Sequence, residues 1–144
     1  MRDFTTSRII DAPLAQVWEV MADVEHWADW TPSILGIDIL STGEFGVGSQ
    51  VKIRQPKLPP ALWTVTEFVP QSHLIWISRG PGLLVTGEHL LVPTENGTRL
   101  TLNLHYGGAL GGFLGWLFRD MNQPYIEMEA SGLKTYCENR AAQQ

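Results

Sequence analysis

From Ile34 to Tyr106 the chain offers six apolar, β-branched runs in succession, and no gap between them is long enough for a crossover connection. The runs are Ile34–Leu40, Ser49–Gln55, Leu62–Val69, Leu74–Arg79, Leu83–Val92 and Thr98–Tyr106. Gly43 to Gly48, Pro56 to Pro60, Pro70-Gln71-Ser72, Gly80-Pro81-Gly82 and Glu95-Asn96-Gly97 punctuate them. Parallel neighbours need a connection of about a dozen residues or more, so strands joined this tightly pair antiparallel. Asn96-Gly97, between two apolar runs, is the sharpest hairpin signal. Arg2–Ile10 adds a seventh strand at the start of the chain.

Two short helices separate that first strand from the meander. Pro13 suits a helix start, where its missing N–H would be unpaired anyway, and Leu14, Val17, Trp18 and Met21 follow at helical spacing. Asp23 is placed to cap a second short helix carrying Trp27 and Trp30, which Pro32 ends. After the meander the period changes. On a wheel of about 3.6 residues per turn, Leu114, Leu117, Phe118, Met121, Tyr125, Met128, Gly132 and Tyr136 share a face. Arg119, Gln123, Glu127, Lys134 and Glu138 fall opposite. This predicts one long helix from Phe113 to Asn139, kinked at Pro124, with Cys137 off its apolar face. The expected fold class is α+β, a seven-stranded curved antiparallel sheet wrapped round a long C-terminal helix, as one domain over residues 1–144. One helix covers only part of so wide a sheet, so an internal space is expected beneath the two short helices and the strand ends.

Composition narrows the partners. The net charge is −5, and the ten Lys and Arg residues are scattered without a cluster, so nucleic-acid binding is not expected. A single cysteine, Cys137, allows no internal disulfide, and the N-terminus has no apolar run of signal-peptide length; a cytoplasmic location is expected. Leu100 to Phe118 contains no Asp, Glu, Lys or Arg, but it opens with polar alternation and then holds five glycines, so stable membrane insertion is not expected. The glycine-rich stretch Gly107–Phe113 reads as an apolar loop able to gate a cavity or touch a membrane or partner. The four histidines lack ligand spacing, and the glycines form neither a P-loop nor a dinucleotide fingerprint, so no metal and no cofactor are expected.

Several ordered signals together resemble the START-like, Bet v 1-like (SRPBCC) superfamily, and most closely its polyketide cyclase/dehydrase branch. They are Ile10-Asp11-Ala12-Pro13 with Val17-Trp18, Trp27 with Trp30-Thr31-Pro32, and Trp63-Thr64-Val65-Thr66-Glu67 with Pro70. Gly87-Glu88-His89, Gly97-Thr98-Arg99-Leu100-Thr101-Leu102, Glu129 and Leu133-Lys134 complete the set. The resemblance covers nearly the whole chain. It implies the helix-grip fold and a cavity for a small hydrophobic ligand, lipid-like or polyketide-like, without naming the ligand.

His89 is the leading candidate for chemistry. Strand alternation puts it with Val85, Gly87 and Leu91 on the face better suited to the interior, because Glu88 is costly to bury unpaired. A histidine there can bond a ligand carbonyl, act as a base, or simply satisfy a backbone group. Trp27, Trp30, Trp63 and Trp76 are candidates to contact a ligand, with core packing as the alternative for each. Tyr106 and Tyr125 could present hydroxyls, and Leu91, Leu104, Phe118 and Met121 complete the candidate lining. Arg54 and Arg79 fall out of phase with their apolar neighbours and are expected in solvent; Glu67 is undecided. No catalytic set is recognisable. Three functions stay open: a binder of a small apolar molecule, a cyclase or dehydratase using the same cavity, and a protein-interaction module. A homodimer is equally open.

Overall fold

The computed structural model describes residues 2–143. Seven strands form one antiparallel sheet in the order β1-β7-β6-β5-β4-β3-β2. They are β1 (Arg2–Ile10), β2 (Gly36–Ile39), β3 (Gln50–Arg54), β4 (Ala61–Val69), β5 (His73–Gly80), β6 (Leu83–Pro93) and β7 (Thr98–Gly107). Each falls within two or three residues of its expected run. Between β1 and β2 lie α1 (Leu14–Ala22) and a short 3-10 helix, Val24–Asp29. Pro13 stands just before α1, and its carbonyl takes the Val17 N–H at 3.1 Å. Asp23 makes no backbone cap; its carboxylate instead meets His26 Nδ1 at 2.9 Å. This is the helix-grip fold expected from the pattern, closed by α2 (Gly111–Leu117) and α3 (Arg119–Ala142).

Two turn chemistries differ from expectation. The β6–β7 hairpin forms where Asn96-Gly97 marks it, but the loop runs from Thr94 to Gly97, with Pro93 facing Thr98. Gly97 has no positive φ. A Cβ there would strike the Ile10 carbonyl, so glycine is needed for the close approach of β1 rather than for a left-handed turn. In β4 the register shifts between Val65 and Glu67. That bulge sends Thr66 and Glu67 outward together and lets Val65 and Phe68 both face inward, which settles the conflicting parity around Glu67. Glu67 is exposed and holds His73 Nε2 at 2.9 Å.

The C-terminal helix departs from the wheel in two ways. It is interrupted at Phe118, not at Pro124, so α2 and α3 are separate helices. Because of that break, a phase fixed on Leu114, Leu117 and Phe118 does not carry into α3. The buried stripe of α3 lies one position further on, at Asn122, Ile126, Ala130, Leu133 and Cys137. Met128 and Tyr136 are 40% and 36% exposed, and Leu117 of α2 is 48% exposed. Cys137, expected off the apolar face, is buried, and burial pushes its thiol up to about 12. The seat of α3 is made of small groups: a Cβ on Gly132 would strike the Trp30 carbonyl, and Ala130 is fully buried. Met128 and Tyr136 mark the flank of this helix, and Ala130, Gly132 and Cys137 together with Ile126 and Leu133 mark its contact.

The core gathers Ile10, Val17, Met21, Trp27, Leu74, Leu100 and Leu133, all nearly inaccessible. On the opposite face of the sheet a polar chain crosses three strands. His105 Nδ1 meets Asp3 at 2.8 Å and its Nε2 meets Glu88 at 3.1 Å, while Asn103 donates to Glu88 at 3.0 Å. Partial burial opposes the charged ring, but the hydrogen bonds and negative charges of Asp3 and Glu88 outweigh it and raise the His105 pKa above 6.5. Partial burial likewise opposes the Glu88 carboxylate, yet hydrogen bonds from His105 and Asn103 bring it below 4.5.

Two outcomes follow. Leu133→Ala should cost about 2–4 kcal/mol in urea unfolding and Met128→Ala under about 1; the reverse order would restore the discarded wheel. His105→Gln should lower stability modestly, by under about 1 kcal/mol for so exposed a network. A histidine with a raised folded pKa stabilises fully below its unfolded value and loses that contribution as pH rises through the folded one. Glu88 works the other way, its contribution disappearing as pH falls through its lowered pKa. The His105→Gln deficit should therefore be largest between pH 4.5 and 6.5, the ordinary values of the two groups, and shrink at higher pH.

Candidate functional site

Between the inner face of β3–β7 and the first half of α3 lies a cavity of about 520 Å³. The sheet supplies Ile53, Trp63, Trp76, Ser78, Val85, Gly87, His89, Leu102, Leu104 and Tyr106. The helix supplies Phe118, Asn122, Tyr125, Ile126 and Glu129, and the β3–β4 loop closes one side with Leu58, Pro59 and Pro60. Beyond Glu129 the helix descends into the core at Ala130 and Leu133, and the space ends there.

Glycine shapes the floor. Gly87 pairs with Trp76 across β5 and β6, and a Cβ at Gly87 would lie 2.8 Å from the Trp76 indole nitrogen. The indole lies over the glycine, with Trp63 beyond it at 5.7 Å between ring centroids. Trp27, buried and donating its indole N–H to the Met21 carbonyl at 2.9 Å, stacks at 5.1 Å from Trp76.

His89 sits against these rings, 5.0 Å from Trp27 and 5.1 Å from Trp76, and is only 6% exposed. Its Nδ1 lies 3.0 Å from the carbonyl of Leu74, its cross-strand partner. A carbonyl only accepts, so Nδ1 carries the proton and Nε2 is the group turned to the cavity. Glu129, on α3, brings a carboxylate oxygen to 3.5 Å from that Nε2 and is itself 13% exposed. With the proton on Nδ1, Nε2 and the carboxylate are both acceptors, so the two bond each other only once Nε2 takes a proton, and a ligand O–H can donate to either.

A second polar pair lies in the same cavity. Asn122, buried, donates to the Tyr106 hydroxyl at 2.9 Å. That leaves the phenolic O–H free to donate in turn. Burial raises the Tyr106 pKa, against the opposing Asn122 hydrogen bond, so the proton is retained at neutral pH. Tyr125 donates its hydroxyl to the Pro56 carbonyl and ties α3 to the β3–β4 loop.

Eight of the eleven expected lining residues face this space: Trp27, Trp63, Trp76, His89, Leu104, Tyr106, Phe118 and Tyr125. Trp30, Leu91 and Met121 do not. Trp30 lies behind Trp27 and packs on Gly132; Leu91 is buried in the core; Met121 precedes the buried stripe of α3 by one position. Arg54 and Arg79 are exposed, as their phase suggested, and Arg79 also borders the cavity. Gly107–Phe113 is a tight turn leading into α2 rather than a loose loop, with Leu110 N–H bonded to the Gly82 carbonyl at 2.8 Å. Sequence reasoning missed Asn122 and the role of Glu129. Both share a helical face with Tyr125 and Ile126, which was the available signal. Among the described residues no group of His, Cys, Asp and Glu is arranged to hold a metal.

The family described as "Polyketide cyclase / dehydrase and lipid transport" matches residues 1–138, and the chain belongs to it. Among curated proteins none matches the chain. Solved structures share its fold at low identity. TTHA0849 of Thermus thermophilus is 18% identical, with 93% of this chain and 95% of that one covered at a TM-score of 0.73. A START superfamily protein of Mycobacterium smegmatis is 17% identical, with 98% and 97% covered and the same TM-score of 0.73. The Zhui aromatase/cyclase of Streptomyces is 21% identical, with 99% and 94% covered at a TM-score of 0.70.

Gly87→Ala tests the floor. It should displace the Trp76 indole, cost about 1–3 kcal/mol, and alter the near-ultraviolet circular dichroism. An unchanged aromatic spectrum would contradict the stacking described.

Proposed function

We propose that the chain binds a small, largely apolar molecule, lipid-like or polyketide-like, bearing at least one oxygen that accepts or donates a hydrogen bond. The observation that carries this reading is the 520 Å³ cavity, whose walls are mostly apolar and whose polar lining residues include His89 with Glu129 and Tyr106 with Asn122. A few placed polar groups within apolar walls are what fix the orientation of a small ligand. The Trp63 and Trp76 rings offer faces to a flat hydrocarbon or aromatic body.

The His89–Glu129 pair supports a second reading, a cyclase- or dehydratase-type enzyme. A neutral Nε2 can take a proton from a carbon or hydroxyl of the ligand, the carboxylate 3.5 Å away can hold the resulting imidazolium, and Tyr106 can donate to a carbonyl oxygen.

Two variants separate these readings. Ser78 lines the cavity on the inner face of β5, so Ser78→Trp should fill it. Titration with 2-naphthol or a medium-chain fatty alcohol should give saturable binding to the wild type and at least about tenfold weaker binding to Ser78→Trp. Equal affinity in a folded variant would remove the cavity from the proposal. His89→Gln keeps hydrogen-bonding capacity but cannot move protons near neutral pH. A binder should lose about 1 kcal/mol of affinity. An enzyme should bind similarly while its turnover falls roughly a hundredfold.

A further inference from the structure

α2 is built inside out. Its small residues face the protein: a Cβ on Gly111 would lie 2.8 Å from the Tyr106 carbonyl group, and one on Gly115 would lie 2.7 Å from the Arg2 Cβ. Of its bulky residues Leu114 packs against the core and the other three face solvent. Phe113 is 59% exposed and Trp116 and Leu117 are each 48% exposed; Leu110, just before the helix, is 47% exposed. Phe113 and Trp116 are the only phenylalanine and tryptophan in the exposed class among the described residues, and their rings lie 6.4 Å apart on one face. Burial of large apolar groups ordinarily stabilises a fold, and here the sequence has placed glycine in the contact and the aromatics outside it.

We infer that this face of α2 docks on a lipid bilayer, inserting at the interface without spanning it. Three observations choose a bilayer over other occupants. The first is the side-chain set: Trp, Phe and Leu on one short uncharged helix are the groups that partition into the headgroup boundary. The second is charge. The Arg119 guanidinium lies 4.6 Å from the Trp116 ring, so a cation borders the apolar face in a chain of net charge −5. Asp120, 89% exposed, is the acid beside it, 3.9 Å from Arg119. A cation beside an apolar face fits anionic headgroups. The third is size: a helix of seven residues falls well short of the roughly 20–30 residues per side of a stable protein interface.

The face also borders the cavity. Leu110 packs on Gly82 in the β5–β6 turn, whose neighbours Gly80 and Leu83 line the cavity, and Phe118, which follows α2, lines it as well. No helix among the described residues is long and apolar enough to cross a membrane, which fits docking at the interface.

Co-sedimentation of the intact chain with vesicles tests this directly. Vesicles of phosphatidylcholine mixed with phosphatidylglycerol should pellet the wild type, and pure phosphatidylcholine should pellet it less. Phe113→Ser with Trp116→Ser should weaken binding at least about tenfold. Arg119→Gln should weaken it on the anionic vesicles by roughly fivefold and leave the phosphatidylcholine result unchanged. All of these side chains are at least partly exposed, so melting temperatures should stay near wild type; Leu110→Ser with Leu117→Ser serves as a second pair if the first does not fold. Ser78→Trp should pellet like wild type, which keeps this result separate from cavity binding. The proposal is overturned if the wild type fails to pellet with either vesicle, or if the serine variants pellet equally. It is also overturned if sedimentation velocity shows a wild-type dimer that the serine variants convert to monomer.

Discussion

A single helix must cover the concave side of a seven-stranded sheet, and everything else in this protein follows from where that helix can come close. α3 comes close only along its second half, where Ala130, Gly132 and Cys137 present little bulk and the Trp30 carbonyl lies against the glycine. There the packing is dense, and Leu133 meets the strand residues of the core. In its first half the helix carries Phe118, Asn122, Tyr125, Ile126 and Glu129 around an open space instead. The cavity is thus the unfilled remainder of a helix-on-sheet contact whose close-packed end is fixed by small residues.

That arrangement explains why the polar groups sit where they do. His89, Asn122 and Tyr106 would be costly to bury in a filled core without partners. Each has one: the Leu74 carbonyl for His89, and each other for Asn122 and Tyr106. His89 and Tyr106 also keep a further direction, the Nε2 of His89 and the O–H of Tyr106, and both residues line the same cavity. Satisfied on one side and free on the other is the condition for a rigid recognition group, because the backbone or neighbour bond locks the side chain before a ligand arrives.

The strands, the two short helices, the hairpin site and the inward face of β6 were legible in the sequence because alternation and turn residues act locally. The phase of α3 was not. Of the expected face Met121, Tyr125, Met128, Gly132 and Tyr136, only Gly132 lies in the close contact, while the buried stripe runs through Asn122, Ile126, Ala130, Leu133 and Cys137, one position on. The break at Phe118 has no proline or glycine at the position to announce it. Glu129 was visible only as part of a family likeness. Its approach to His89 is a contact between residues 40 apart in sequence, a long-range pairing that no local pattern encodes. The bulge in β4 likewise cannot be read from residues that suit either face.

The central claim is that the space between Trp63, Trp76, His89 and α3 receives the ligand. The indole N–H resonances of the six tryptophans read it residue by residue, since they occupy distinct settings: Trp63 and Trp76 line the cavity, Trp18 packs on Phe68, and Trp116 stands on the surface. In a nitrogen-15 spectrum titrated with 2-naphthol, the account predicts saturable shifts at Trp63 and Trp76 with Trp18 and Trp116 unmoved. Shifts confined to Trp116, with the cavity tryptophans silent at saturation, would contradict it.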